Sequence, residues 1–245
     1  MKLRKIMAVL MAASVAASLA GCGGSSSSGS SDSSSDSASS DSGKVYKIGI
    51  CQQLEHEALD QATQGYEDAC EEKFGKDNVT FDLQNGQGEQ ANCATITNSF
   101  VADNVDLILA NATTALQCAA AATDSIPILG TSITDYATAL DISDWNGSTG
   151  MNISGTSDLA PIDQQEDMLV ELVPDAKTVG ILYCSAEPNS AYQAKLFEDA
   201  LKEDGIEYKE YTAADSNEIQ SVTTSAISEC DALYIPTDNT MASNT

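Results

Sequence analysis

Lys47-Ile48-Gly49-Ile50 and Thr178-Val179-Gly180-Ile181-Leu182 are short apolar strands that open the same pattern twice. Nineteen residues after Gly49 stands Asp68, within Tyr66-Glu67-Asp68-Ala69, and nineteen after Gly180 stands Asp199, within Phe197-Glu198-Asp199-Ala200. The match returns further on. Val105-Asp106-Leu107-Ile108-Leu109-Ala110, followed by Asn111-Ala112-Thr113-Thr114, is echoed by Cys230-Asp231-Ala232-Leu233-Tyr234-Ile235, followed by Pro236-Thr237-Asp238-Asn239. Two copies of one strand–helix unit predict two lobes of one design with a cleft between them, a geometry suited to closing on a small molecule.

Working outward, apolar β-branched segments fall at 46–51, 79–83, 105–110, 126–129, 178–183 and 231–235. Helical periodicity fills 57–74, 89–103, 113–123, 161–173, 190–204 and 216–229. Regular alternation of strand and helix predicts an α/β fold: two Rossmann-like lobes, each a parallel sheet with right-handed crossovers and helices on both faces. Near-continuous apolar runs such as Val105 to Ala110 suit strands buried on both sides. The Gly-, Ser-, Thr- and Asn-rich stretch from Asn146 to Gly155 reads as the first interlobe crossing, which divides the body into 44–150 and 151–245. The second copy runs 125 residues behind the first, Asp231 answering Asp106. Thr237 to Thr240 therefore reads as a helix N-cap whose helix is missing, and the second lobe as C-terminally truncated.

The chain begins with Lys2, Arg4 and Lys5, followed by an apolar run from Ile6 to Ala17 that is short for a membrane-spanning helix, the pattern of an export signal over residues 1–21. Leu19-Ala20-Gly21-Cys22 resembles the lipobox of bacterial lipoproteins. That resemblance implies cleavage before Cys22, acylation of its sulfur, and anchoring at the outer face of the cell membrane. Residues 22–43 are almost wholly Ser, Gly and Asp after the cysteine, with too little apolar surface to offset ordering, so they read as a disordered tether.

The whole chain holds 11 basic and 37 acidic side chains; without the three basic residues of the leader, 8 remain against 37, a formal −29. No arginine follows Arg4. Such a surface repels phosphate backbones and excludes nucleic acid as a partner. Cys51, Cys70, Cys93, Cys118, Cys184 and Cys230 form no Cys-x-x-Cys pair and no zinc spacing. They read as buried free thiols, and no metal or cofactor is expected. Gly86-Gln87-Gly88-Glu89-Gln90-Ala91 imitates a dinucleotide fingerprint, but it follows the second strand and reads as a turn.

In open α/β sheets ligands sit beyond the carboxyl ends of the strands. The loops there are Gln52 to His56, Asn111 to Thr114, Thr131 to Asp135, Ser185 to Ser190 and Thr237 to Asn239. They are rich in hydroxyls and amides, and several precede helix N-termini, which hold carboxylates without a basic side chain. The predicted ligand shell is Glu55, Asn111, Thr113, Thr114, Ser132, Glu187, Asn189, Ser190, Asp238 and Asn239. Backbone N–H groups and hydroxyls of the Asn111 and Ser132 loops are expected to hold a carboxylate, and Glu187 or Asp238 an ammonium group. His56, the one histidine, has no evident nucleophile beside it and reads as a loop residue with a local hydrogen bond or a place on the cleft wall. Tyr136, Tyr183, Tyr192 and Tyr234 near strand ends suit either stacking on a flat ligand or lobe packing.

Together, several segments resemble the tryptophan/tyrosine-type substrate-binding proteins of bacterial ABC transporters. They are Lys47-Ile48-Gly49-Ile50 with Glu55-His56-Glu57-Ala58-Leu59-Asp60, then Gln84-Asn85-Gly86-Gln87-Gly88, Asn111-Ala112-Thr113 and Thr134-Asp135. Asn152-Ile153-Ser154-Gly155, Glu187-Pro188-Asn189-Ser190 and Pro236-Thr237-Asp238-Asn239-Thr240 complete the set. The resemblance implies a type I periplasmic-binding-protein-like fold, capture of an amino acid, often aromatic, and delivery to an ABC permease, with no enzymatic step. Members of that family are longer than this chain. Tyr136 stands where the family has proline after Asp135, and Thr114 where it has proline after Thr113.

The sequence thus reads as a monomeric, lipid-anchored solute receptor. Its rivals are a sugar- or nucleoside-binding protein of the same fold and an α/β surface hydrolase.

Overall fold

The computed structural model describes residues 43–244. The leader, Cys22 and all but the last residue of the Ser/Gly/Asp tether lie outside the described residues. The first sheet is wholly parallel, in the order β2-β1-β3-β4-β5. Its strands are β1 (Tyr46–Gln52), β2 (Val79–Asn85), β3 (Leu107–Asn111), β4 (Ile128–Ile133) and β5 (Ile153–Ser157). Helices α1 (Glu57–Phe74), α2 (Gln90–Ala102) and α3 (Thr113–Ala122) connect the first four, and the short α4 (Tyr136–Ala139) follows β4. The second sheet, also parallel, is ordered β7-β6-β8, from β6 (Thr178–Cys184), β7 (Glu207–Ala213) and β8 (Ala232–Tyr234). Around it lie α5 (Ile162–Leu172), α6 (Pro188–Asp204), α7 (Ile219–Glu229) and the short α8 (Asn239–Ala242).

The sequence repeat has a physical cause in each sheet. Asp106 precedes β3 and its Oδ2 accepts from the backbone N–H of Lys47 at 2.8 Å. Asp231 precedes β8 and its Oδ2 accepts from Lys177 N at 2.9 Å and Thr178 N at 3.0 Å. One carboxylate thus ties the entry of the first strand to that of the third, twice. The repeated glycine is a packing requirement: a Cβ on Gly49 would lie 2.6 Å from the Phe100 ring, and one on Gly180 2.5 Å from Leu233. α6 stops where Gly205 takes a left-handed conformation (φ 73°), so that its N–H reaches Lys202 O and the N–H of Ile206 reaches Leu201 O.

Two strands are absent from the sequence reading. β7, Glu-Tyr-Lys-Glu-Tyr-Thr-Ala, is an edge strand whose alternating charges mask its period. β5, Ile-Ser-Gly-Thr-Ser, carries one large apolar residue; its Gly155 (φ 154°) lies so close to Gly130 that a Cβ would strike the Gly130 carbonyl. Because β5 pairs with β4, residues 153–157 belong to the first sheet, and the crossing lies at 158–161 rather than at 146–155. The sheet division therefore falls later than the 150/151 boundary drawn from composition.

Each sheet has its own core. Phe100, Ile108, Leu116, Ile128 and Ile133 anchor the first. Val179, Ile181, Phe197 and Leu201 anchor the second, where Phe197 stacks on Tyr234 with ring centroids 3.7 Å apart. The six cysteines of the body are free thiols, five of them buried. The Cys93 thiol beside Cys118, together with burial, pushes the Cys118 thiol well above its usual range. Gln87 (φ 56°) and Gly88 (φ 77°) make a tight turn, with Gly88 N donating to Gln53 O.

Candidate ligand-binding cleft

The loops beyond β1, β3 and β4 lie at one rim of the first sheet, and those beyond β6 and β8 at the rim of the second. α4 packs against α6, bringing the two rims together, and Asp135 at the start of α4 lies close enough to Tyr192 to help burial raise its phenol pKa.

On the first rim, two non-glycine residues take left-handed backbone: Ala112 (φ 80°) before α3 and Ser132 (φ 57°) where the β4–β5 register shifts. Such strain persists only where surrounding packing enforces it, and it concentrates at functional rims. Ala112 offers no side-chain cap to α3; instead Gln53 Oε1 accepts from Thr114 N at 2.9 Å. Thr113 is buried at the first helical position, while Thr114 and Ser132 are half-buried. Asn111 is fully enclosed, its Nδ2 donating to Leu59 O at 2.9 Å and to Thr63 Oγ1 at 3.0 Å, while its Oδ1 is a buried acceptor without a partner. Asn111 thereby pins β3 to α1. Glu55 is exposed and lines a different hollow, of about 340 Å³, with Gln52, Asp60, Thr63 and Asn85.

The second rim is a dense polar network in which Asn189 Oδ1 is a buried acceptor without a partner. Glu187 Oε2 accepts from Asn239 N (3.0 Å), Asn239 Nδ2 (2.8 Å) and Asn189 Nδ2 (3.2 Å). Its Oε1 accepts from Thr240 N (2.7 Å) and Thr240 Oγ1 (2.6 Å). Asp238 is the N-cap of α8: Oδ1 accepts from Met241 N at 2.8 Å, and Oδ2 from Cys184 N at 2.7 Å. Burial, then the charge of Glu187, raises the Asp238 pKa. Asn189 also donates to Thr237 O, and Ser190 is fully enclosed. The sequence reading expects Glu187 or Asp238 to take a ligand ammonium group. Both carboxylates already serve backbone and amide donors, because the first turn of α8 leaves N–H groups that need acceptors.

Three glutamines belong to this frame: the sequence reading places Gln52 and Gln53 in a rim loop but outside the ligand shell, and does not single out Gln193. Gln52 accepts from Thr63 Oγ1 and donates to Leu54 O and Asp60, fixing the loop after β1. Gln53 takes the α3 N–H already described. Gln193, nearly sealed from solvent, donates to Thr237 O and accepts from Thr237 N. Its position four residues after Asn189, on the same helix face, was the available signal. Of the tyrosines, Tyr136 donates to Gly130 O, Tyr183 to Glu210, and Tyr234 to Gln165 while stacked on Phe197. His56 bonds to Asn239 across the two rims rather than locally.

Two parallel α/β lobes joined at 158–161, with loops meeting across their carboxyl rims, make this a type I periplasmic-binding-protein fold. Residues 47–245 match the family described as ABC transporter substrate binding protein, and the chain belongs to that family. It is 37% identical over 207 residues to a tyrosine-binding protein of Clostridioides difficile (strain R20291), covering 84% of this chain and 60% of the relative. The chain thus spans about three-fifths of that curated relative's length. The crystal structure of an ABC domain in complex with L-Trp from Streptococcus pneumonia is 35% identical, with a TM-score of 0.78, covering 82% of this chain and 68% of that one. The ligand-free, open structure of a substrate-binding protein with adhesive properties from Clostridium difficile is 36% identical, with a TM-score of 0.58 over 81% of this chain and 68% of that one. At nearly equal identity, the lobes here superpose better on the L-Trp complex than on the open structure.

Proposed function

We propose that the chain captures a zwitterionic amino acid, an aromatic one, between its two rims and hands it to an ABC permease, unchanged. The likeness to the L-Trp complex over four-fifths of the chain carries this reading, and the tyrosine-binding relative supports it. Thr113, Thr114 and Ser132 carry hydroxyls suited to the ligand carboxylate. Asn111, Glu187, Asn189, Ser190, Asp238 and Asn239 position the walls. The protein works at the extracytoplasmic face, held there through an acylated Cys22. Among the described residues no helix is long and apolar enough to cross a membrane.

Titration calorimetry of the full chain with L-tyrosine, L-tryptophan, a hexose and a nucleoside tests the ligand class. Heat from the amino acids alone supports the reading, and heat from the sugar or nucleoside alone overturns it. Mass spectrometry of membrane-extracted protein tests the anchor, which predicts a diacyl mass on Cys22 that disappears in Cys22→Ala.

A further inference from the structure

His56 stands in the loop between β1 and α1, and Asn239 begins α8 in the other lobe. His56 Nε2 lies 3.2 Å from Asn239 Oδ1. Each end of this contact is fixed from behind. Asn239 is oriented because its N and Nδ2 both donate to Glu187 Oε2, which leaves Oδ1 as the atom facing His56. An acceptor there requires the proton on His56 Nε2. On the other side the His56 carbonyl accepts from Asp60 N at 3.0 Å. The Leu54 carbonyl, two residues earlier, is held by Gln52 Nε2 at 3.0 Å. The contact joins residues 183 apart in sequence, one on each rim.

We propose that His56 is the latch of the closed form: its Nε2–H donates to Asn239 Oδ1 once the lobes have met, and so slows reopening without taking part in first capture. This rests on reading the chain as a receptor that closes on its solute. His56 is a positioning residue here, and the Glu187–Asn239 pair is the fixed striker it meets. A hydrogen bond formed only after encounter changes the rate of escape rather than the rate of entry.

The test uses the full chain and two variants, His56→Ala and His56→Gln, the second keeping a donor at similar reach. In stopped-flow binding of L-tyrosine, His56→Ala raises koff about fivefold with kon unchanged, and His56→Gln restores most of the loss. Small-angle scattering without ligand gives an independent reading: His56→Ala shifts the population toward the larger, open radius, and His56→Gln does not. Identical koff and scattering in His56→Ala and wild type overturn the latch, as does an equal loss in both variants accompanied by a lowered melting temperature. If the wild type binds no amino acid, the proposed function fails, while the scattering comparison still decides whether the latch exists.

Discussion

The third strand of each sheet carries the same motif into different surroundings. In the first sheet β3 lies between β1 and β4; Ile108 and Ala110 are both sealed at 0% exposure. In the second, β8 pairs with β6 along one side, and its other side forms a wall of an apolar groove of about 380 Å³ under α5. The residues matching Ile108 and Ala110 are Leu233, half-buried, and Ile235, which is 49% exposed, with Leu172 of α5 71% exposed beside them. One pattern of apolar residues therefore contributes unequally to two cores. Burial is set by what covers a strand, not by the strand's own residues.

The largest effect that would break this comparison is at its centre. Ile108→Ala should destabilise the fold by about 4 kcal/mol and Leu233→Ala by about 1 kcal/mol, because only the first leaves a sealed cavity. Urea unfolding followed by far-ultraviolet circular dichroism measures both, and equal losses would mean that the two strands are equally enclosed.

Next in size is the network around Glu187 on the second rim. Glu187→Ala removes the acceptor for Asn239 and Thr240 and should cost about 3 kcal/mol, since buried donors are then left unpaired. Amide exchange of 237–242 should speed up while that of β1 and β3 stays slow.

The repeated glycines sharpen the comparison further. Gly49→Ala forces a methyl against the closely packed Phe100 ring and should cost about 2 kcal/mol. Gly180→Ala meets the movable end of Leu233, which lines the open groove, and should cost about 1 kcal/mol or less by the same reasoning.

The smallest effect is the sign of a pH response. Lys44, followed by the backbone N–H of Lys47, holds the Asp106 carboxyl below its ordinary value. Its stabilisation is present above the unfolded value, about 4, and is lost as pH falls through the lower, folded one. Asp238 is shifted the other way by burial and by Glu187. Its stabilisation is present below the unfolded value and is lost as pH rises through the raised one. Between pH 3 and 6, Asp106→Asn should flatten the acid limb of a stability profile, whereas wild-type chemical shifts at Asp238 should titrate above those at Asp106.

The sequence by itself determined the repeat, because a carboxylate at Asp106 and Asp231 and a bare backbone at Gly49 and Gly180 are each demanded by local geometry common to both sheets. It also located the rims, since polar segments after buried strands have nowhere else to lie. β5 and β7 were illegible because an edge strand needs little apolar content, and Ser, Thr and alternating charge read as loop. Only the tertiary structure decided which rim residues have atoms to spare. Glu187, Asp238 and Asn111 have the same donors and acceptors in any sequence, but their partners come from Asn239 and Thr240, from Cys184 and Met241, and from Leu59 and Thr63. Hydrogen-bond capacity is a property of the residue, whereas its occupancy is a property of neighbours brought from 54 positions away for Asp238 and 183 for His56.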